Sequence, residues 1–254
     1  NKLCDSNYCN SPGPTPTPGP SGDIPKMGMN IDMGVARKKW TPEQYNSGNW
    51  YDLENVPFIA GQNDRKVKMV RLFASDEPWN NLLRPLVNDE NIYVFLGIYI
   101  RGNQKQPSVQ TRIDNLSKLY LANKKNMDKY TLAISIGNEC VPGVSQKYCN
   151  PLIKFGINYC RQLMDKNKLP NVHLTTVLDN NSLVNNQTLR PDVIDLLKST
   201  DDKGNDLLDF IAFNPYPYYA NVPIDDALIT LQGQIADLID AIDILSLPDD
   251  KKSK

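Results

Sequence analysis

The sequence predicts an α/β fold of the (β/α)8 TIM-barrel type, with six of the eight strand–helix units falling within these 254 residues. Three observations predict it. Six strand-like runs alternate with stretches of helical periodicity, the order that gives a parallel sheet with helices outside it. The third run, Ile92 to Ile100, is almost wholly apolar, as in a parallel strand covered on both faces. No Gly-x-Gly-x-x-Gly loop follows the first run, so the phosphate-cradling mark of a doubly wound sheet, the alternative fold, is missing.

The elements follow in order. Residues 1–10 form a Cys-bearing tip, and residues 11–22, Ser-Pro-Gly-Pro-Thr-Pro-Thr-Pro-Gly-Pro-Ser-Gly, form an extended polyproline-like linker that cannot pack a core. Thr15 and Thr17 are O-glycan acceptor types in such stalks. The barrel occupies residues 23–254, at roughly 39 residues per unit, somewhat above the typical unit. Its strands are read at Met27 to Met33, Val67 to Phe73, Ile92 to Ile100, Thr131 to Glu139, Val172 to Leu178 and Leu208 to Tyr219. Between them run apolar stripes at helical spacing. These are Trp79, Leu82, Leu83, Leu86 and Val87; then Val109, Ile113, Leu116 and Tyr120, behind Pro107-Ser108 as a start signal. Leu152, Phe155, Tyr159 and Leu163 follow, with Asn150-Pro151 as cap and first-turn Pro. Val193, Leu196 and Leu197 make a short stripe, and Leu228, Leu231, Ile235, Leu238, Ile239 and Ile242 make the last. All are expected to face the core.

Bulk properties exclude several classes of function. The net charge of −1 supplies no field for nucleic acid or an anionic membrane. No apolar stretch approaches the ~18 residues of a membrane span. The sole histidine, His173, lies in an apolar run and reads as a strand residue, which argues against Ser-His-Asp or Cys-His chemistry. No metal-type Cys/His spacing appears, and neither a metal nor a cofactor is expected. Asn1 is not a start Met, as in a processed chain or a fragment. Five Cys and three N-glycan acceptor triplets, at Asn115, Asn180 and Asn186, point to a secreted, extracellular or cell-wall glycoprotein.

Chemistry concentrates at strand ends. The fourth run stops in Gly137-Asn138-Glu139, which puts an amide and a carboxyl at the C-terminal edge of a strand, where barrel enzymes carry catalytic groups. The sixth ends in Phe213-Asn214-Pro215-Tyr216-Pro217-Tyr218-Tyr219. With Val70-Arg71-Leu72-Phe73 and Leu174-Thr175-Thr176-Val177, these motifs resemble glycoside hydrolase family 17, the endo-β-1,3-glucanases of clan A. The resemblance runs from about Met27 to about Ile242. A transglycosylase family of fungal walls shares parts of the same pattern.

The resemblance implies a retaining hydrolase acting on β-glucan polysaccharide. Such an enzyme needs two carboxyls about 5–5.5 Å apart, one to protonate the leaving oxygen and one to attack the anomeric carbon. Glu139 is then the acid/base. Asn138 holds the sugar's 2-hydroxyl, Asn214 belongs to the Asn-x-Tyr-Pro-Tyr motif, and Tyr216 and Tyr218 face the pyranose. Arg71 braces a carboxylate at the barrel top. Two departures stand out. Ile31 occupies the place of a substrate-contacting Tyr in the first strand. The family's nucleophile, a Glu in a Ser-Glu-x-Gly-Trp-Pro setting on the seventh strand, has no counterpart, because no Glu follows Glu139 in this sequence. Strands seven and eight are likewise not in the sequence. An open six-strand barrel exposes two edge strands, so further chain, a partner chain or a second copy is expected to cover that edge. The alternative to an enzyme is an inactive glucanase-fold glycoprotein that binds glycans or assembles outside the cell.

Cys4 and Cys9 are expected to pair with each other or with an upstream domain. A Cys140–Cys149 bridge would pin the loop that follows Glu139, stabilising it by roughly 2–3 kcal/mol on the chain-entropy model. Cys160, in phase with the apolar stripe, is then a buried free thiol. Pairing of Cys149 with Cys160 is the alternative.

Overall fold

The computed structural model describes residues 29–31, 69–74, 92–100, 104–140, 149–179, 184–185, 188–214, 223 and 226–244. In chain order these form β1 (Met29–Ile31), β2 (Met69–Leu72), β3 (Tyr93–Ile98), α1 (Gln106–Ala122), α2 (Lys124–Tyr130) and β4 (Thr131–Asn138). Then come α3 (Cys149–Asp165), β5 (His173–Asp179), β6 (Val184–Asn185), β7 (Thr188–Leu189), α4 (Pro191–Leu197), β8 (Ala212–Asn214) and α5 (Ala227–Ile244). The proposed tip and linker, residues 1–22, lie outside the described residues, as does the Trp79–Val87 stripe.

Six strands form one sheet in the order β1-β2-β3-β4-β5-β8, every pair parallel. Each strand of this sheet therefore lies beside the sheet strand that precedes it along the chain, which is the winding of a barrel and not of a doubly wound sheet. The sheet is a partial (β/α)8 barrel. One face buries Val70, Leu72, Val94, Leu96, Ile98, Ile134, Ile136, Leu174 and Leu178. Strand alternation sends these residues to one side and Arg71 and Phe95 to the other.

Helices cover the apolar face. In α1 the stripe Val109, Ile113, Leu116 and Tyr120 is buried as its spacing requires, and Pro107 sits in the first turn. In α3 the buried stripe is Cys149, Leu152, Ile153, Gly156, Ile157, Cys160 and Leu163. Phe155 and Tyr159, expected on that stripe, instead flank it as a stacked pair with centroids 6.0 Å apart. Gly156 explains the phase. A Cβ there would fall 2.6 Å from Ile136 Cγ2 of β4, so the glycine is the point where α3 touches the sheet. Asn150 is not the cap expected of it. The helix begins at Cys149, and the Asn150 amide donates to the Asp192 carbonyl at 2.8 Å.

The last helix departs further. Leu238 and Ala241 are buried, but Leu228 and Ile239 are 63% and 48% exposed. The reason is its seat: α5 lies against the β6–β7 hairpin, which had no strand signal in the sequence, and so buries a narrower side than its stripe offers. His173 opens β5 on the surface, its ring edge-on to Phe210 at 6.3 Å.

At the N-terminal end of β5, Arg161 of α3 holds the loop that leads into β8. It pairs with Asp201 and Asp209 at 3.0 Å each and donates to the carbonyls of Asp206 and Leu207. Asp209 in turn accepts from the Leu174 amide at 2.6 Å. The cluster registers β8 against β5 from the end opposite Glu139.

Cys160 is fully buried and unbridged, and burial pushes its thiol well above the ordinary value. Because the thiolate is the reactive form, Cys160 is expected to resist maleimide in the native protein and to be labelled only in denaturant. Peptide mapping after labelling checks this; modification of the native protein at the rate of a free thiol contradicts it.

Candidate functional site

A regular strand sends consecutive side chains to opposite faces, so Asn138 and Glu139 would not ordinarily share a site. The end of β4 breaks that rule. Its register against β5 shifts between Ser135 and Asn138, the extra-residue irregularity that re-aims side chains at strand ends. Gly137 adopts φ 88° and Glu139 φ 51°. The first is natural for glycine. The second is an uncommon conformation for a residue with a Cβ and costs on the order of 1–3 kcal/mol. The Glu139 amide is held there by donating to the Val177 carbonyl at 2.7 Å.

With this turn in place, Asn138 and Glu139 converge on one cluster. Asn214, at the end of β8, donates from Nδ2 to Glu139 Oε1 at 2.5 Å and to Asn138 Oδ1 at 3.4 Å. Arg71, in β2, donates from Nη1 to Asn214 Oδ1 at 2.6 Å and from Nη2 to Asn138 Oδ1. The guanidinium lies 4.8 Å from the Phe73 ring centroid and 5.6 Å from that of Phe95. Stacking on two rings orients the fork and leaves its edge to the amides. Asn214 is buried, while Arg71, Asn138 and Glu139 are partly buried.

Four of the six site residues read from the sequence, Arg71, Asn138, Glu139 and Asn214, thus meet at one end of three strands. Arg71 donates to two amide oxygens, those of Asn138 and Asn214. Tyr216 and Tyr218 lie outside the described residues. Chemically, the cluster presents a carboxyl fixed by an amide, next to a cation that fixes both amides. Among the described residues there is no group of three His, Cys, Asp or Glu able to hold a metal.

The bridge expected beside this carboxyl is present. Cys140, the residue after Glu139, is disulfide-bonded to Cys149, the first residue of α3, with Cα atoms 5.9 Å apart. The end of β4 is thereby tied to a helix that packs on the same strand. Cys4 and Cys9 lie outside the described residues. Of the glycan acceptors, Asn115 is half-buried in α1, beside buried Leu116 and Ser117, whose hydroxyl donates to the Lys168 carbonyl at 2.7 Å. Asn180 and Asn186 lie outside the described residues. Among those residues no helix is long and apolar enough to cross a membrane.

The chain has a glucanase-like fold. Among solved structures it is similar to CJP38, a β-1,3-glucanase and allergen of Cryptomeria japonica pollen, with a TM-score of 0.50 at 17% identity over 72% of this chain. The chain spans 64% of that protein's length. No family model matches it, and no curated protein matches it in sequence.

Proposed function

We propose that this chain is a secreted, glycoside hydrolase-like protein that acts on or binds β-1,3-glucan-type polysaccharide, with Glu139 as the acid/base of a retaining reaction. The observation that carries this reading is the hydrogen-bonded cluster of Arg71, Asn138, Asn214 and Glu139 at one end of β2, β4 and β8. A general acid must be held within reach of the leaving oxygen, and the Asn214 amide fixes the Glu139 carboxyl by one oxygen. Asn138 is the residue assigned to the sugar's 2-hydroxyl. Tyr216 and Tyr218 continue the strand-end segment that Asn214 begins and supply apolar faces for the ring. The domain division proposed is a Cys-bearing tip at 1–10, a Pro-rich linker at 11–22 and the barrel at 23–254. Further chain, a partner or a second copy covers the open barrel edge.

A second reading takes the same cluster of Arg71, Asn138, Asn214 and Glu139 as a glycan-binding site. On that reading the fold binds glycans, or builds an extracellular assembly, without hydrolysing them. One experiment separates the two. The native protein, purified from its source, is incubated with linear β-1,3-glucan, and new reducing ends are followed by proton NMR. The enzymatic reading expects β-anomer to appear first, as retention requires. Binding without new reducing ends selects the second reading. Neither binding nor turnover removes both.

A further inference from the structure

Glu139 holds a backbone conformation that a residue with a Cβ avoids, at φ 51°. Such a conformation persists only where its surroundings over-determine it. On the N-terminal side, the Glu139 amide donates to the Val177 carbonyl at 2.7 Å. On the C-terminal side, Cys140 is bonded to Cys149, the first residue of α3, with Cα atoms 5.9 Å apart. Both cysteines are buried.

Packing as well as the bridge seats α3 on β4. A Cβ on Gly156 would fall 2.6 Å from Ile136 Cγ2. A Cβ on Gly137 would fall 3.5 Å from Ile153 Cγ1 and 3.6 Å from Cys140 Cβ. Cys149, Ile153 and Gly156 share the buried stripe of α3, and in that order they meet Cys140, Gly137 and Ile136. The helix thus runs along the last residues of β4, and the bridge fastens to it the residue that follows Glu139. Rotation of Glu139 into the extended region would have to carry Cys140 off this support. The contact between Glu139 Oε1 and Asn214 Nδ2, at 2.5 Å, depends on that rotation not happening. In regular strand alternation Asn138 and Glu139 would point to opposite faces.

We propose that the Cys140–Cys149 bridge is the positioning element of this site: it locks Glu139 in the left-handed conformation and so keeps the carboxyl on Asn214. Its effect on catalysis rests on the β-glucan reading above; its effect on where Glu139 stands does not. Neither sulfur has a part in proton transfer.

The test uses the full chain, isotopically labelled, with Cys140→Ser and Cys149→Ser together. The Glu139 Cα and Cβ shifts are expected to leave the values of a left-handed residue, and the Asn214 side-chain amide to lose the shift that its bond to a carboxylate gives it. Cys160 should stay closed to maleimide, because the Gly156 contact keeps α3 seated. Parent-like resonances in the folded variant overturn the assignment. So does labelling of Cys160, which would mean that the bridge serves the whole helix. Where the double variant folds poorly, the parent reduced by a dithiol is read in the same way. On linear β-1,3-glucan, loss of the bridge is expected to lower kcat by roughly 10- to 100-fold, the scale for a displaced catalytic group. In a Glu139→Gln background it should add little, as for residues that act as a unit. Equal losses in both backgrounds overturn the assignment. Failure of the parent to cleave the glucan removes the enzymatic reading alone, and the resonances still decide what holds Glu139.

Discussion

Replacing Glu139 by Gln is expected to lower kcat/KM on β-1,3-glucan by about 10²- to 10⁴-fold, the range for loss of a general acid or base. The fold should be unaffected. Glutamine keeps a carbonyl oxygen where Glu139 Oε1 accepts from Asn214 at 2.5 Å, and the backbone at φ 51° keeps its amide bond to Val177. Only the proton is lost. Two readouts follow from that. Affinity for an unreactive oligosaccharide should change little. An aryl glucoside whose leaving group needs no proton should be cleaved with a much smaller loss in the step that forms the glycosyl intermediate. A uniform loss on both kinds of substrate would mean that Glu139 holds the site together without donating a proton.

The largest expected effect on stability is at Gly97, in the middle of the sheet. A Cβ there would collide with the Leu72 carbonyl oxygen and lie 2.6 Å from the carbonyl oxygen of Phe73. Both are backbone atoms in and just after β2, which cannot swing aside as a side chain can. Gly97→Ala must therefore push β2 and β3 apart, breaking a parallel pair registered from Met69 to Arg71. The cost is on the order of 3 kcal/mol, at the upper end for overpacking. In a chain of this length that lowers the melting temperature by roughly 6–12 °C. Because Arg71 lies in the displaced segment, Glu139-dependent activity should fall as well. Calorimetry of the variant beside Gly233→Ala, a helical position where an added Cβ meets nothing within 4 Å, checks that the loss comes from the clash and not from the change of residue type.

How much of this was legible in the sequence depended on whether a feature is local. Buried parallel strands announce themselves as apolar runs, and all six strands of the sheet fall within their runs, or one residue beyond. The sixth run, Leu208 to Tyr219, was read too long at its start. Leu207 and Leu208 are buried there by a loop whose backbone is claimed by Arg161 and by Leu174, and apolar burial alone does not distinguish that from a strand. The stripe of α5 was legible as amphipathic, but its exposed Leu228 and Ile239 depend on the short hairpin beneath it. Cys140 and Cys149, nine residues apart, were legible as a pair because a strand end and a helix start bring them together.

At the site, strand-end position singled out Asn138 and Glu139, and the resemblance of motifs singled out Arg71 and Asn214. Their partners were not legible, because the hydrogen bonds span 67 to 143 residues of sequence. The true end of β5, at Asp179, was missed for a related reason. A strand read by its apolar residues stops at Leu178, and only the register with β8 shows that the next residue stands beside Asn214.

On the proposed function, β-1,3-glucan is held at the rim formed by the ends of β2, β4, β5 and β8. The most direct measurement is titration of a β-1,3-linked glucotetraose into the isotopically labelled Glu139→Gln protein, followed by amide chemical shifts. The expected result is saturable shifts centred on residues 138–140, 177–179 and 212–214, with the Arg161–Asp209 end of the sheet unmoved. Saturable shifts elsewhere on the molecule, or none at millimolar tetraose, would contradict it.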